Sequence, residues 1–291
     1  MNKKLLSLLA CPTCKGKLFF KSKEILCQNC GTGYPIKNGI PVLVDLDSLP
    51  EHLAGQIRYF EAEAEQYTKT YRRAPWEQAY VDRLSSHIRS YKGKTVIDDA
   101  CGSGYITVES AMRGASVIAC DLNMKGLMHL QKIIKAAGLE KNILLVCCSS
   151  EQLPLKPKVA DIVVANAILE HLPREAEAVK EISRIAKKGA VAMITVPLAY
   201  HLLHPLFYLV NYIHDRRIGH LRRYTKETLV ARFFDWKALG IYYTGHTRKV
   251  LKTLINIIRP TFDEKQIELE DNEYITRKLF ASNISIVFQK K

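Results

Sequence analysis

Four cysteines within the first thirty residues are spaced as metal ligands. Cys11 and Cys14 form one C-x-x-C pair, and Cys27 and Cys30 form a second pair after twelve intervening residues. Two such pairs bring four thiolates within reach of one tetrahedral zinc ion, at Zn–S distances of about 2.3 Å. Two disulfides are the alternative for the same residues. Because four protein thiolates leave the ion no open coordination position, the spacing predicts a structural zinc rather than a catalytic one.

A glycine-containing loop follows the first apolar strand of the central region. The segment Val96-Ile-Asp98-Asp-Ala-Cys-Gly102-Ser-Gly104 runs from that strand into a helix. Glycines let the backbone approach a ligand closely, and a helix N-terminus offers free N–H groups. Asp121 ends the next strand, twenty-three residues after Asp98, where an acid binds the ribose diol in dinucleotide folds. The pattern predicts a nucleotide-type cofactor site; a tight turn without a ligand is the alternative.

The elements around this loop alternate between short apolar runs and amphipathic stretches. The pattern predicts strands at 40–44, 95–98, 116–120, 142–147, 161–166, 190–196, 236–243 and 282–289, and helices at 51–73, 75–91, 105–113, 123–137, 174–187 and 249–258. Alternating strands and helices form βαβ units around a parallel sheet that is covered on both faces. The sequence therefore predicts an α/β fold behind the small metal domain.

Composition limits the class of protein. The chain has 291 residues, 47% of them hydrophobic, which is enough for one large domain and one small one. No apolar run approaches the ~20 residues of a membrane span, and the run 5–10 is shorter than the ~7–15 apolar residues of a signal peptide. The remaining four cysteines lie in or beside apolar, strand-like runs, as small hydrophobic residues do in a reducing compartment. We therefore expect a cytoplasmic protein.

The net charge of +14 is unevenly distributed. Residues 1–45 contain seven Lys/Arg and two Asp/Glu, residues 46–200 contain twenty and eighteen, and residues 201–291 contain sixteen and nine. The excess therefore lies on the metal domain and the C-terminal third, so attraction to an anionic partner is expected there.

The segment VIDDACGSG is similar to the VLDLGCGTG of class I S-adenosylmethionine-dependent methyltransferases. Leu169-Glu-His-Leu172, after the fourth strand of the sheet, resembles the group of this family that acts on small molecules. The resemblance covers about residues 55–200 well and 201–291 loosely. It implies a Rossmann-like, doubly wound, mostly parallel seven-stranded sheet and S-adenosylmethionine as the cofactor.

The resemblance also implies residue roles. The methionine end of the cofactor would be held by Asp98 and the loop Ala100–Gly104, including Gly102, and the ribose by Asp121 with Leu122 beside it. The adenine would lie near Ser149 and Ser150, the methyl-donor pocket near Asn166 and Ala167, and a lid would carry Tyr67 and Tyr71. Two residues depart from the family pattern: Ala100 replaces the first loop glycine, and Ser149 replaces the usual acid near the adenine amine.

The first 45 residues resemble a second known module. The segments CPTC, CQNC and GTGYPIKNGIPVLV are similar to the small zinc-ribbon protein that activates several tRNA, rRNA and release-factor methyltransferases. The predicted domains are a zinc ribbon at 1–46 and a methyltransferase domain at 51–291, with a substrate or lid insert at about 198–224.

The acceptor side of the site is less defined. His171 lies just after the fourth strand and is the candidate general base; packing against the following helix is the alternative, and Glu170 is expected to be solvated. Residues 198–214 of the insert are aromatic and apolar, and arginines follow from residue 216. This pattern suits an amphiphilic substrate with an anionic head, or a membrane surface. The candidate substrate residues of the insert are His201, His204, Arg222, Arg223 and Tyr224. A lid helix with solvated arginines is the alternative.

Three functions remain open. The favoured one is methyl transfer to a small-molecule, lipid or glycan-precursor acceptor, with the ribbon as a fixed structural domain. The second is an RNA or translation-factor methyltransferase whose basic ends bind phosphates, which would make binding steeply salt-dependent. The third is a non-catalytic protein whose ribbon recruits a partner. Peripheral membrane contact is compatible with the first, and the oligomeric state stays open.

Overall fold

The computed structural model of the protein describes residues 2–64, 74–199, 212, 213 and 215–291, apart from the side chains of residues 254 and 257. The predicted lid residues Tyr67 and Tyr71, the candidate substrate residues His201 and His204, and much of the predicted insert lie outside this part of the chain.

The N-terminal region folds as a small ribbon. A short helix, α1 (Lys3–Leu6), precedes four antiparallel strands. These are β1 (Leu18–Phe20), β2 (Glu24–Cys27), β3 (Gly33–Lys37) and β4 (Ile40–Pro41), paired in chain order. Leu5, Leu18 and Ile25 are buried and form the ribbon's share of the core.

A seven-stranded sheet forms the centre of the molecule. Its strands are β5 (Thr95–Asp99), β6 (Ser116–Asp121), β7 (Ile143–Cys147), β8 (Ala160–Asn166), β9 (Ala186–Pro197), β10 (Trp236–Thr244) and β11 (Asn283–Lys290). The strand order is β10-β11-β9-β8-β5-β6-β7. Strands β5 to β9 run parallel, and β11 is antiparallel to both β9 and β10. The predicted mostly parallel, seven-stranded Rossmann-like sheet with a preceding ribbon is confirmed.

Helices cover both faces of this sheet. They are α2 (Glu51–Ala64), α3 (Pro75–Ser85), α4 (Tyr105–Met112), α5 (Met124–Ala136), α6 (Glu175–Ile185), α7 (Lys226–Arg232), α8 (Thr247–Ile258) and α9 (Glu264–Glu273). Successive strand residues point to opposite faces, so Ile97 belongs to one apolar core and Val96 to the other. None of the described helices is long and apolar enough to cross a bilayer.

The ribbon packs against the β7 edge of the sheet. The Leu43 N–H donates to the Cys147 carbonyl at 2.8 Å, and the Ala10 N–H donates to the Pro154 carbonyl at 2.9 Å. The Lys15 ammonium contacts Glu181 at 2.7 Å. Ribbon residues and one face of the large sheet also belong to the same apolar core. The ribbon and the large sheet therefore form one packed unit.

Several element predictions differ from the structure. The helix predicted at 174–187 ends at Ile185, and β9 begins directly after it instead of at residue 190. The helix predicted at 75–91 ends at Ser85. The strand predicted at 40–44 is limited to Ile40–Pro41: the Val42 N–H still donates to Pro35 of the ribbon, but the Leu43 N–H donates to β7 instead. Helix α9 was not predicted, because its buried side lacks a continuous apolar stripe. That side includes Glu268 and Asp271, which form ion pairs with Lys249 and His246.

Candidate functional site

The glycine loop lies at the carboxyl ends of β5 and β6. Ala100, Gly102 and Gly104 have φ angles of 60°, 48° and 80°, all in the left-handed region. The Cys101 N–H donates to the Cys120 carbonyl at 2.9 Å, which ties the loop to the neighbouring strand. Gly104 caps the N-terminus of α4. The loop therefore turns sharply from the strand into the helix and presents backbone groups at the strand ends.

Asp121 holds this loop in place. Its carboxylate accepts the Gly102 N–H at 2.9 Å and the Asn123 N–H at 2.8 Å. Burial raises the pKa of Asp121, while these backbone hydrogen bonds oppose that rise. The predicted ribose-binding acid is therefore fixed beside the loop by the loop's own backbone, with Leu122 next to it at the end of β6.

Two successive acids end β5, and their side chains have different partners. Asp98 accepts a hydrogen bond from the Thr107 hydroxyl at 2.6 Å, and Asp99 accepts one from Ser150 at 2.7 Å. Burial raises the pKa of each carboxyl to about 7. Within the part of the chain that the structure describes, Asp99 Oδ2 has no hydrogen-bond partner. Sequence reasoning passed over Asp99, although two acids at the end of a buried strand were a visible signal, and it assigned Ser150 to the adenine rather than to Asp99.

The remaining predicted cofactor residues lie at the ends of the flanking strands. Ser149 follows β7 and caps a short 3-10 helix, where its side chain accepts the Glu151 N–H at 3.2 Å. Asn166 ends β8 and donates to the Tyr105 hydroxyl at 2.5 Å, while its Oδ1 is buried with no hydrogen-bond partner among the described residues. Ala167 follows with a φ of 50°. The structure thus places the described cofactor candidates along the edge of the sheet that is formed by the carboxyl ends of its parallel strands.

The first turn of α3 also reaches this edge, which the sequence did not indicate. The Ser103 hydroxyl donates to Glu77 at 2.9 Å, and Glu77 is buried. The Trp76 ring meets the Tyr105 ring edge to face at 5.6 Å and is 44% exposed. These residues brace the loop from outside the sheet, and only tertiary structure brings them there.

His171 is buried beside Glu170 and His220. Burial, followed by the nearby His220, lowers the pKa of His171 to about 3, so its imidazole is neutral. The prediction that Glu170 is solvated is wrong: its side chain is 1% exposed, and burial raises its pKa to about 8. The Leu221 N–H donates to the Glu170 carbonyl at 2.8 Å, so the segment that contains His220 and Leu221 lies over both residues. The proposed base therefore lies in a closed polar cluster.

The three described residues that were predicted to contact substrate have partners inside the protein. Arg222 donates to the carbonyls of Leu169 and Leu172, at 3.1 and 2.5 Å. Arg223 pairs with Asp215 at 2.6 Å. Tyr224 is buried, and its hydroxyl donates to Glu175. These contacts fix the segment before α7, so the two arginines are not solvated as the alternative interpretation had them.

The ribbon cysteines have the geometry of a metal centre. The four sulfurs lie within 4.8 Å of one another, with Cys11 and Cys30 Sγ atoms 3.8 Å apart and Cys14 and Cys27 Sγ atoms 3.4 Å apart. Sulfurs at about 2.3 Å from a tetrahedral zinc are separated by about 3.8 Å, so the donor set fits that ion. The pKa of the Cys30 thiol is lowered to about 6, and hydrogen bonds with Thr32 are the largest cause. The lower pKa favours the thiolate, which is the form that ligates zinc.

Comparison with known proteins identifies both parts of the chain. Residues 97–194 match the family model described as a methyltransferase domain, and residues 2–39 match the Trm112p-like protein model. A UPF0434 protein of Hahella chejuensis is 46% identical over 50 residues, which are 16% of this chain and 83% of that protein.

Relatives of the larger part are more distant. The ubiquinone biosynthesis O-methyltransferase of Nitrosomonas europaea is 30% identical over 118 residues, covering 40% of this chain and 47% of that enzyme. The chain thus spans about half the length of that relative. The crystal structure of geranyl diphosphate C-methyltransferase from Streptomyces coelicolor A3(2), in complex with Mg²⁺, geranyl-S-thiolodiphosphate and S-adenosyl-L-homocysteine, superposes with a TM-score of 0.56 at 12% identity. The match covers 74% of this chain and 76% of that one.

Ribbon sequence, sheet topology and glycine loop agree on the same assignment. The chain is a class I S-adenosylmethionine-dependent methyltransferase with an N-terminal zinc ribbon that belongs to the Trm112p-like (UPF0434) family.

Proposed function

We propose that this methyltransferase acts on a small-molecule, lipid or glycan-precursor acceptor, and that the ribbon serves as a fixed structural domain. S-adenosylmethionine supplies a methyl group activated on a sulfonium. Asp98, the loop from Ala100 to Gly104 and Asp121 would hold this cofactor, and Asn166 with Ala167 would line the side from which the acceptor approaches. Holding donor and acceptor in line and excluding water supplies much of the rate of such a displacement.

The pairing of the C-terminal cations is the observation that carries this proposal. Six of the sixteen Lys/Arg in residues 201–291 pair with carboxylates of the same chain. The pairs are Arg222 and Arg232 with Glu175, Arg223 with Asp215, Lys249 with Glu268, Lys252 with Glu270, and Lys290 with Asp235. A paired cation contributes less to phosphate neutralisation, so these six side chains are weaker support for nucleic-acid binding than the number of basic residues suggests.

Two relatives add support for a small acceptor. Their names refer to ubiquinone biosynthesis and to geranyl diphosphate, which are isoprenoid chemistry. An amphiphilic acceptor with an apolar chain agrees with the apolar insert in the sequence. Tyr212 and Ile213, at the described end of that insert, are 47% and 60% exposed, so apolar surface is available there. A cytoplasmic location with contact to a membrane surface would suit such a substrate.

Cofactor binding is the first test. Calorimetry on the zinc-loaded protein should show micromolar affinity for S-adenosylmethionine, and Asp121→Asn should weaken it by at least about tenfold, since a hydrogen bond to a charged group contributes about 1.5–3 kcal/mol. Asp161→Asn is the matched control, because Asp161 lies at the opposite end of its strand and binds Thr95 N–H and Lys187. A wild-type protein that does not bind the cofactor would overturn the proposal and leave the partner-binding function.

Comparative profiling identifies the acceptor. Lipids and metabolites of a deletion strain should lack one methylated species that reappears when the gene is restored, but not when Asp121→Asn is supplied. Total nucleic acid from the same strain, digested to nucleosides, should keep its full set of methylated nucleosides.

An RNA or translation-factor acceptor is the second candidate, and the ribbon favours it, because the Trm112p-like match covers residues 2–39. Several ribbon lysines, Lys17, Lys21, Lys23 and Lys37, are exposed. A methylated nucleoside, or a methylated release factor, missing from the deletion strain would select this function over the favoured one.

A further inference from the structure

Glu170, His171 and His220 form a second group of metal-type donors, away from the ribbon. Each offers one ligand atom, and these atoms lie within 4.8 Å of one another. Glu170 and His171 belong to the 3-10 helix after β8, and His220 lies on the segment that returns over it. Three side chains from two separate segments therefore converge on one point.

Two polar atoms of these side chains have no hydrogen-bond partner among the described residues. They are Glu170 Oε2 and His171 Nδ1, and both are buried. The side chains that carry them are 1% and 5% exposed. A buried polar atom left without a partner costs about 1–3 kcal/mol. The closest approach of Glu170 to His220, from Oε1 to Nε2, is 3.8 Å, which is longer than a hydrogen bond. The group is arranged around a position that a cation would satisfy.

His220 has the outer support that metal-binding histidines have. Its Nδ1 lies 2.8 Å from Asp215 Oδ1, and Asp215 is held in turn by Arg223 at 2.6 Å. A carboxylate that accepts the Nδ1 proton fixes the tautomer with its lone pair on Nε2, which is the form in which a histidine ligates a metal through that atom. Nε2 is the atom that faces Glu170.

We propose that Glu170, His171 and His220 bind one divalent transition-metal ion. Two imidazoles and one carboxylate suit manganese, iron, cobalt or zinc rather than calcium or magnesium, which prefer oxygen ligands alone. Metal–ligand distances of about 2.0–2.2 Å require the donors to draw closer together than 4.8 Å on binding. Three protein ligands leave coordination positions open, unlike the closed ribbon site. The proposal does not rest on the proposed acceptor or on cofactor binding.

Manganese separates this site from the ribbon, because four soft thiolates disfavour Mn²⁺. Mn²⁺ is titrated into the zinc-loaded, full-length protein, and the loss of the free-ion electron paramagnetic resonance signal is measured. We expect one Mn²⁺ per chain. Glu170→Gln and His220→Ala should weaken binding by more than about 100-fold, and Asp215→Asn by about 10–100-fold, the usual loss when outer support is removed.

His246→Ala is the matched control, since His246 is also buried and also pairs with a carboxylate, Asp271, at 2.8 Å. It should bind Mn²⁺ like the wild type. The melting temperature gives a second measurement: added Mn²⁺ should raise it in the wild type and the control but not in His220→Ala. If His220→Ala fails to fold, the Mn²⁺ affinity of Asp215→Asn tests the proposal in its place.

The proposal is overturned if neither Mn²⁺ nor Co²⁺ binds beyond the ribbon zinc, or if the three variants bind Mn²⁺ like the wild type. A Glu170→Gln protein that melts higher than a non-binding wild type would also overturn it, since Glu170 would then be a neutral carboxylic acid in the core.

Discussion

Replacing Gly104 by alanine tests how the cofactor loop enters α4. Gly104 has a φ of +80°, and an added Cβ would lie 2.3 Å from Cδ1 and 2.7 Å from Cδ2 of Leu130. Leu130 is 1% exposed within the core, so it has little room to move. The left-handed conformation costs a non-glycine residue about 1–2 kcal/mol, and overpacking costs about 1–3 kcal/mol. We expect Gly104→Ala to lower the free energy of unfolding by about 2–5 kcal/mol.

Gly102→Ala is the matched control in the same loop. Its φ is +48°, but no atom of the described residues lies within 4 Å of the added Cβ, so only the conformational cost of about 1–2 kcal/mol is expected. Urea unfolding of the zinc-loaded variants, followed by circular dichroism, measures both losses. In a Leu130→Ala background the overpacking contribution should disappear, and the two glycine variants should then lose similar stability. Equal losses in the wild-type background would refute the packing argument.

Three further predictions concern the loop, its acid and the zinc. Ala100→Gly should raise the free energy of unfolding by about 1 kcal/mol in the same urea assay, because Ala100 has a φ of 60°; an unchanged midpoint would contradict this. Burial raises the pKa of Asp98 to about 7, so this acid must lose a proton before it can pair with the cationic methionine end. By linkage, affinity for S-adenosylmethionine should then rise about eightfold from pH 6 to pH 7.5, and calorimetry with Asp98→Asn should give a flat profile. Cys14→Ser should reduce the bound zinc, measured by elemental analysis, and lower the melting temperature, while the turnover of protein that remains folded stays near that of the wild type; a loss of turnover without a loss of stability would contradict a structural zinc.

The parts of the fold that sequence could predict are those fixed by local periodicity. Apolar runs and amphipathic spacing located the strands of the large sheet to within a few residues. The loop and Asp121 followed from their order along the chain. Helix α9 escaped because its buried positions include Glu268 and Asp271, and periodicity registers apolar residues only. These carboxylates pair with cations on α8 and α3, and no local pattern reveals such pairs.

The site shows the same division. The residues at the strand ends were predictable because parallel strands bring their carboxyl ends to one edge. Their partners were not: Glu77 reaches Ser103 from a helix 26 positions earlier, and Ser150 reaches Asp99 across 51 positions. The burial of Glu170 was not predictable from local pattern, since the residues that cover it, from Asp215 onward, lie on a segment distant in the chain. Contacts between residues far apart in the sequence therefore determine the features of the site that local periodicity does not predict.

The position of the ribbon gives the zinc an indirect connection to the cofactor edge. Strand β7 ends the sheet order, and an uncovered edge strand would present unpaired backbone groups. The Leu43 N–H satisfies the Cys147 carbonyl there, and the next amide, the Cys148 N–H, donates to the Asp121 carbonyl at 3.1 Å. Ala10, which bonds to Pro154 just beyond the 3-10 helix, directly precedes the ligand Cys11. Main-chain hydrogen bonds at one strand end thus join the cysteine-bearing turn to Asp121. We therefore expect a zinc ion held by the four cysteines to stabilise this side of the sheet without contacting the reacting groups.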